Sequence, residues 1–414
     1  MKQNILQNIN NTRQLEKLYR EDKPGFKRAF QALYPELESS PVADFWHERL
    51  NYQSEEISWG TTQDLLFVLV AAFLAGMVAK LPAILSLDEE FFYPRNIGFI
   101  VFPFLTAFFA WKNKITRQNI FFIGIAILLS VIFINSLPNS NTSDTLILSC
   151  IHLGLSLWSV LGYAYVGGNL KDYRKRLDFL RFNGDLLVMS ALLVIAGAIL
   201  TGLTIGLFSL IGLQIENFYA EYIAVFGLPA VPLVATYLTQ TNPQLINKVS
   251  PVIARIFSPL VLVTLVVYLV AIIYSGKNPY QDREFLLLFN ALLIGVMAII
   301  FFSVAESSGK TKNQVEILIL FLLAVLTVIV NGIALSAILF RISEWGITPN
   351  RLAVMGGNIL ILINLLWVTF RLWRVITHKA TITEVGECIA YFLPFYLLWT
   401  IVVTFIFPLV FQFA

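Results

Sequence analysis

The stretch VEILILFLLAVLTVIVNGIALSAILF, residues 315–340, decides the fold of this chain. It contains no charged side chain between Glu316 and Arg341. A helix needs about 20 mostly apolar residues to cross the hydrocarbon core of a bilayer. The stretch is long enough for that, and it therefore predicts a membrane-spanning helix.

Runs of the same kind recur along the whole chain. Of its 414 residues, 57% are hydrophobic and 13% are charged, whereas roughly a quarter of the residues in a soluble domain are charged. We therefore expect an all-α fold, a polytopic transmembrane helix bundle of about 11 spans. The predicted spans are 64–85, 95–111, 119–136, 144–167, 185–211, 219–239, 256–275, 285–305, 315–340, 351–373 and 388–411.

Basic residues are concentrated in alternate loops. The loop before the fifth span contains Lys171, Arg174, Lys175 and Arg176, whereas the loop at 276–284 contains only Lys277 and Arg283. The positive-inside rule places the richer loops in the cytoplasm. The N-terminus is then predicted inside and the C-terminus outside, as an odd number of spans requires. The net charge of +3 reflects these loops, and we expect no nucleic-acid partner.

Residues 1–60 form a polar prefix that differs in composition from the membrane domain, 61–414. Its apolar residues recur at helical spacing, as in Phe26, Phe30 and Leu33. Ser40 and Pro41 are typical of an N-cap and a first helical residue. We expect three short amphipathic helices on the cytoplasmic face. They form either a lid packed on the membrane domain or a docking module for a protein partner.

The loop RISEWGITPNR, residues 341–351, is unusually charged for a connection between two apolar runs. Gly346 suits a left-handed helix stop, and Thr348 before Pro349 suits an N-cap. One interpretation is a tight, capped outer hairpin. The other is a functional cluster, either an outer constriction or a contact for a partner or an anionic ligand. Its candidate residues are Arg341, Glu344, Gly346, Thr348 and Arg351.

Polar residues inside the later spans are mostly amides, namely Asn290, Asn331, Asn358 and Asn364. Amides in a bilayer usually form hydrogen bonds between helices. The alternative is a polar pathway for a solute. Asn331 and Asn358 lie on adjacent spans, so we expect that they face each other.

Small residues and prolines predict irregular helices at two places. Gly202 and Gly206 form a GxxxG pair, which favours close helix packing or a broken helix. Pro229 and Pro232 lie inside the sixth span, where each removes a backbone donor. We expect helix breaks at these four residues, either as packing kinks or as a gating hinge.

Ionisable residues deep in the spans are scarce. Lys80 lies near the outer end of the first span, and we expect it to pair with Asp88 or Glu89. SSGKTK at 307–312 lacks the first glycine of a phosphate-binding loop. The sequence contains no catalytic or metal-ligand motif that we can identify, and we expect neither an enzyme nor a cofactor.

The turn at 341–351 also carries a family resemblance. A long apolar helix ending in Arg341, followed by Gly346, Thr348 and Arg351, resembles bacterial membrane proteins of the domain of unknown function family 4153. Trp345 stands where those proteins have Tyr. The resemblance covers the chain from about residue 184 onward. It implies a bacterial inner-membrane protein but does not imply any particular activity.

The sequence leaves three functions open. Many spans, helix breaks and buried amides favour a permease-like protein that binds or moves a small solute or lipid. A scaffold or regulatory subunit of an envelope complex is the alternative, and a membrane-embedded transferase is the third. The lipid bilayer is the one partner that the composition directly indicates.

Overall fold

The computed structural model of the protein describes most of the chain. The described residues are 2–9, 11–37, 41–51, 60–139, 143–210, 214–243, 258–259, 261–263, 265–266, 269–270, 280, 283–307 and 314–413. All regular secondary structure within them is helical. Contacts divide the chain into two compact units, Met1–Ser58 and Trp59–Ala414.

The first unit is a small helical domain with a core of its own. Its helices are α1 Lys2–Gln7, α2 Thr12–Glu21, α3 Lys23–Leu37 and α4 Pro41–Asn51. Phe26, Phe30 and Trp46 are at most 2% exposed and form the centre of that core. A hydrogen bond from Arg20 lowers the pKa of Glu16. The sequence predicted three helices here, and the structure has four.

The second unit contains the long apolar helices. They are α5 Thr62–Leu85, α6 Glu89–Lys112, α7 Arg117–Ser136, α8 Asp144–Tyr165, α9 Tyr173–Leu210, α10 Glu216–Thr241, α11 Arg283–Ser307, α12 Gln314–Trp345, α13 Pro349–Ile376 and α14 Ile382–Val410. Among the described helices, nine are long and apolar enough to cross a membrane, which are all of these except α11. The predicted span at 256–275 lies largely outside the described residues.

Polar caps fix where several of these helices begin. The Thr61 hydroxyl accepts from the Asp64 N–H at 3.1 Å, and the Asp64 carboxylate accepts from the Thr61 N–H. The Ser143 hydroxyl caps α8 by accepting from the N–H of Leu146. Such caps satisfy donors that an isolated helix end leaves open.

Two apolar clusters hold the bundle together. One joins α5 through α10 and includes Phe108, Leu161 and Leu233. The other joins α11, α12, α13 and α14 and includes Leu323 and Leu365. Helix α14 also packs against α8 and α9, so it connects the two groups of helices.

The outer surface of the bundle is apolar. On α7, Phe121, Phe122, Leu128 and Leu129 are each more than half exposed. Soluble monomers rarely present an apolar surface of this extent to water. Together with the span lengths, it shows an integral membrane protein that contacts the lipid bilayer. With 38 residues, α9 is about 57 Å long, so its basic first turns extend past a hydrocarbon core of about 30 Å.

Candidate functional site

The loop at 341–351 is a capped hairpin in which both arginines bind backbone carbonyls. Arg341 is 8% exposed, and its Nε donates to the Tyr280 carbonyl at 3.0 Å. The Nη1 of Arg351 donates to the carbonyls of Trp345 and Gly346 at 2.9 and 2.7 Å. Both guanidinium groups lie within 6 Å of the Trp345 ring. Arg351 therefore holds the start of α13 to the end of α12, whereas Arg341 connects the end of α12 to Tyr280.

Gly346 and Thr348 have the roles in this hairpin that the sequence predicts for them. Gly346 has a φ of +77°, a conformation that L side chains rarely adopt. The Thr348 hydroxyl accepts from the Arg351 N–H at 3.3 Å and caps α13. Glu344 is exposed, and within the described part of the chain no residue forms an ion pair with it. The geometry thus unites Arg341, Gly346, Thr348 and Arg351, and leaves Glu344 outside the contacts.

Replacing Arg351 with Ala is expected to lower the free energy of unfolding by about 1.5–3 kcal/mol, because two charge-assisted hydrogen bonds to carbonyls are lost. Glu344→Ala is the matched control, and its effect should stay within about 0.5 kcal/mol. Reversible unfolding in mixed detergent micelles measures both. Equal losses for the two variants would contradict this assignment of the hairpin.

The four amides lie in two separate places. Asn358 Nδ2 donates to Asn290 Oδ1 at 2.9 Å, and Asn331 Nδ2 donates to the Asn358 carbonyl at 3.2 Å. These bonds link α11, α12 and α13, with Asn331 facing Asn358 as expected. Asn364 instead donates to the Tyr396 hydroxyl of α14 at 3.0 Å. The amides therefore act as links between helices in this structure.

The helices continue through the residues at which breaks were predicted. Helix α9 runs continuously through Gly202 and Gly206, and a Cβ on Gly202 would meet no atom within 4 Å. Pro229 and Pro232 also lie within a continuous helical segment, Val225–Thr241. The irregularity in α10 comes earlier, where Tyr219–Ala224 is π-helical.

Lys80 binds this π-helical segment. Its Nζ donates to Glu221 Oε1 at 2.8 Å and to the Glu221 carbonyl at 2.9 Å. It also lies 4.2 Å from the centre of the Tyr222 ring. The predicted pairing with Asp88 or Glu89 is therefore wrong. A partner on a distant helix satisfies the buried ammonium group instead.

A second π-helical segment, Val402–Ile406, lies in α14. Pro408 has no N–H to offer the Thr404 carbonyl four residues earlier. Ser149 Oγ of α8 donates to that carbonyl at 2.8 Å. A neighbouring helix thus satisfies the carbonyl, as a bilayer requires.

One cavity lies where α9 and α14 begin and α13 approaches its end, and we call it the end pocket. Its volume of about 600 Å³ falls in the range of roughly 300–1,000 Å³ that is usual for small-molecule sites. The lining combines charged and aromatic side chains. It consists of Leu170, Lys171, Tyr173, Arg176, Trp367, Arg371, Glu384, Glu387, Cys388, Tyr391, Pro394 and Phe395.

The end pocket has an excess of positive charge. Lys171, Arg176 and Arg371 are cationic and Glu384 and Glu387 are acidic, so the lining carries one net positive charge. Arg371 Nη1 binds Glu384 Oε2 at 2.7 Å. The other oxygen of Glu384 accepts from a backbone N–H at the start of α14 at 3.1 Å. The Glu384 carboxylate is thus already occupied by protein donors.

Arg176 and Arg371 are the two guanidinium groups that line the end pocket. Their Nε atoms are buried and expose almost no surface, so a ligand in the pocket would contact the terminal guanidinium nitrogens. Arg371 also forms a side-chain hydrogen bond with the sulfur of Cys388, which is a weak acceptor. Because both guanidinium groups are cationic, an anionic oxygen is the ligand atom that fits them best.

Sequence reasoning did not find the end pocket. It placed Arg176 in a basic cytoplasmic loop and gave no functional role to residues 367–395. The pocket arises only when residues 170–176 meet residues 367–395. No local motif signals a meeting of two segments so far apart. Elsewhere, no group of three His, Cys, Asp or Glu among the described residues has the arrangement of metal ligands.

Comparisons with known proteins do not extend this description. No protein-family model, no curated protein and no solved structure matches the chain. The resemblance to the domain of unknown function family 4153 therefore stays a prediction that rests on residues 341–351.

Proposed function

We propose that the chain is a permease-like protein of the bacterial inner membrane that binds a solute or lipid with an anionic group in the end pocket. One observation carries this proposal. Two arginines from different helices, Arg176 and Arg371, line one cavity together with Lys171 and give it an excess of positive charge. Arginine forks match the geometry of carboxylates and phosphates.

The position of the end pocket supports a membrane-facing role. It lies at the end of the bundle that carries the basic loops, which the positive-inside rule assigns to the cytoplasm. With the N-terminus inside and the C-terminus outside, an anion would reach the site from the cytoplasm or from the inner leaflet. The proposal includes no catalysed reaction and no cofactor.

Binding to the purified full-length protein tests the proposal. The probes are phosphatidylglycerol and its soluble deacylated headgroup, glycerophosphoglycerol. We expect Arg176→Gln to weaken whichever probe binds by at least tenfold, because a charge-assisted hydrogen bond contributes about 1.5–3 kcal/mol. Arg371→Gln should do the same, although it also frees Glu384.

Lys175→Gln is the matched control, because Lys175 is exposed, lies next to Arg176 and does not line the end pocket. It should leave binding unchanged. If Arg176→Gln and Lys175→Gln bind both probes as tightly as the unmodified protein does, the proposed anion site is wrong.

A scaffold or regulatory role is the second candidate, favoured by the first unit. That unit has its own apolar core and still exposes Phe45 by 59% and Leu6 by 42%. It would then act as a docking module for a protein partner. Deleting residues 1–58 should release that partner from the purified complex, whereas anion binding at the end pocket should persist.

A further inference from the structure

The aromatic wall of the end pocket continues onto the lipid-facing surface of α14. Tyr391 is 56% exposed and Phe395 44% exposed, and both line the pocket. Leu398, one turn further along, is 61% exposed. Residues at this spacing share one face of a helix. An apolar strip therefore leads from the pocket along the outside of the bundle.

Charge and hydrophobicity are segregated along this face of α14. The carboxylates of Glu384 and Glu387 lie in the first turns, and the apolar residues follow. From Glu387 to Leu398 the helix rises about 16 Å, which is about half of a hydrocarbon core of roughly 30 Å. A ligand that lies along this face would span one leaflet, with its polar group at the helix start.

Helix α13 repeats the same arrangement on the facing wall. Arg371 lines the end pocket, Trp367 lies one turn before it, and Ile363, 49% exposed, lies one turn before that. The rings of Trp367 and Tyr391 meet edge to face with centroids 5.7 Å apart. The cationic part of the pocket thus opens onto apolar walls from both helices.

We infer that the ligand of the end pocket is a phospholipid of the surrounding bilayer with a phosphodiester headgroup, an inference that rests on the proposed function. The phosphate binds the guanidinium groups of Arg176 and Arg371. One acyl chain lies along Trp367, Tyr391 and Phe395. The single net positive charge of the lining matches the single negative charge of a phosphodiester, whereas a phosphomonoester carries about −1.5 to −2 at neutral pH.

The experiment compares phosphatidylglycerol with glycerophosphoglycerol, which has the same headgroup without chains. Both are titrated against the full-length protein and its Tyr391→Ala/Phe395→Ala variant. We expect the unmodified protein to bind the lipid at least tenfold more tightly than the soluble headgroup. The variant should lose at least tenfold in lipid affinity, because aromatic side chains contribute a large share of apolar contact energy. Its affinity for the soluble headgroup should stay the same.

Phe370→Ala is the matched control, because Phe370 is 59% exposed on α13 and does not line the end pocket. It should bind lipid normally. If the two probes bind with equal affinity and the double variant has no effect, the ligand is not a phospholipid. The anion site itself would not be contradicted by that result. Insensitivity of both probes to Arg176→Gln would overturn the proposed function itself.

Discussion

Replacing Glu221 with Gln is expected to lower the free energy of unfolding by about 2–3 kcal/mol. Lys80 is 9% exposed, and its ammonium group forms an ion pair with the Glu221 carboxylate at 2.8 Å. Removing one partner of a buried ion pair typically costs about 3–5 kcal/mol, because the other charge stays buried. The expected loss is smaller because the Glu221 side chain is itself 55% exposed, so that water partly screens the pair.

A double-mutant cycle with Lys80→Met separates the pair from its single members. We expect the double variant to be more stable than Glu221→Gln alone, since no uncompensated charge remains in it. Glu89→Gln is the control, because Glu89 is the partner that the sequence suggested. A loss for Glu89→Gln as large as that for Glu221→Gln would show that the observed pairing does not exist in the membrane.

The second large effect is expected at the contact between α13 and α14. A Cβ on Gly356 would overlap the indole of Trp399, whereas a Cβ on Gly357 would lie 3.9 Å from the Trp399 Nε1, an ordinary contact. Gly356→Ala should therefore cost about 1–3 kcal/mol of stability through overpacking. Gly357→Ala should be neutral or gain up to about 1 kcal/mol, because alanine is the better helix former.

Unfolding of both variants under identical detergent conditions gives the comparison. A loss of stability for Gly356→Ala without a loss for Gly357→Ala is the diagnostic result. If both substitutions stabilise the protein, Trp399 moves aside without cost and the packing of α14 on α13 is looser than described. If both destabilise it equally, the effect does not arise from the indole.

Several features of the fold could be predicted because their causes are local. A run of 20 or more apolar residues specifies a membrane helix wherever it occurs. The Gly346 and Thr348 turn chemistry depends on neighbouring backbone groups alone. The contact of Asn331 with Asn358 followed from a short hairpin that makes two long helices antiparallel neighbours.

The partners of charged groups could not be predicted in the same way. Lys80 binds Glu221, which lies 141 positions away, and only the packing of α5 on α10 brings them together. Periodicity shows which face of a helix is apolar but not which helix will cover it. Pro229 and Pro232 predicted an irregularity in α10, but not that it would lie in the π-helical segment Tyr219–Ala224. The same reasoning explains why the end pocket was missed.

The most direct test of the central claim is a cryo-electron microscopy structure of the protein purified in lipid nanodiscs that contain phosphatidylglycerol. We expect density for a headgroup in the end pocket, with an anionic oxygen about 2.7–2.9 Å from a guanidinium nitrogen of Arg176 and of Arg371, and a chain beside Tyr391 and Phe395. An end pocket without ligand density beside the two arginines would contradict the proposed site.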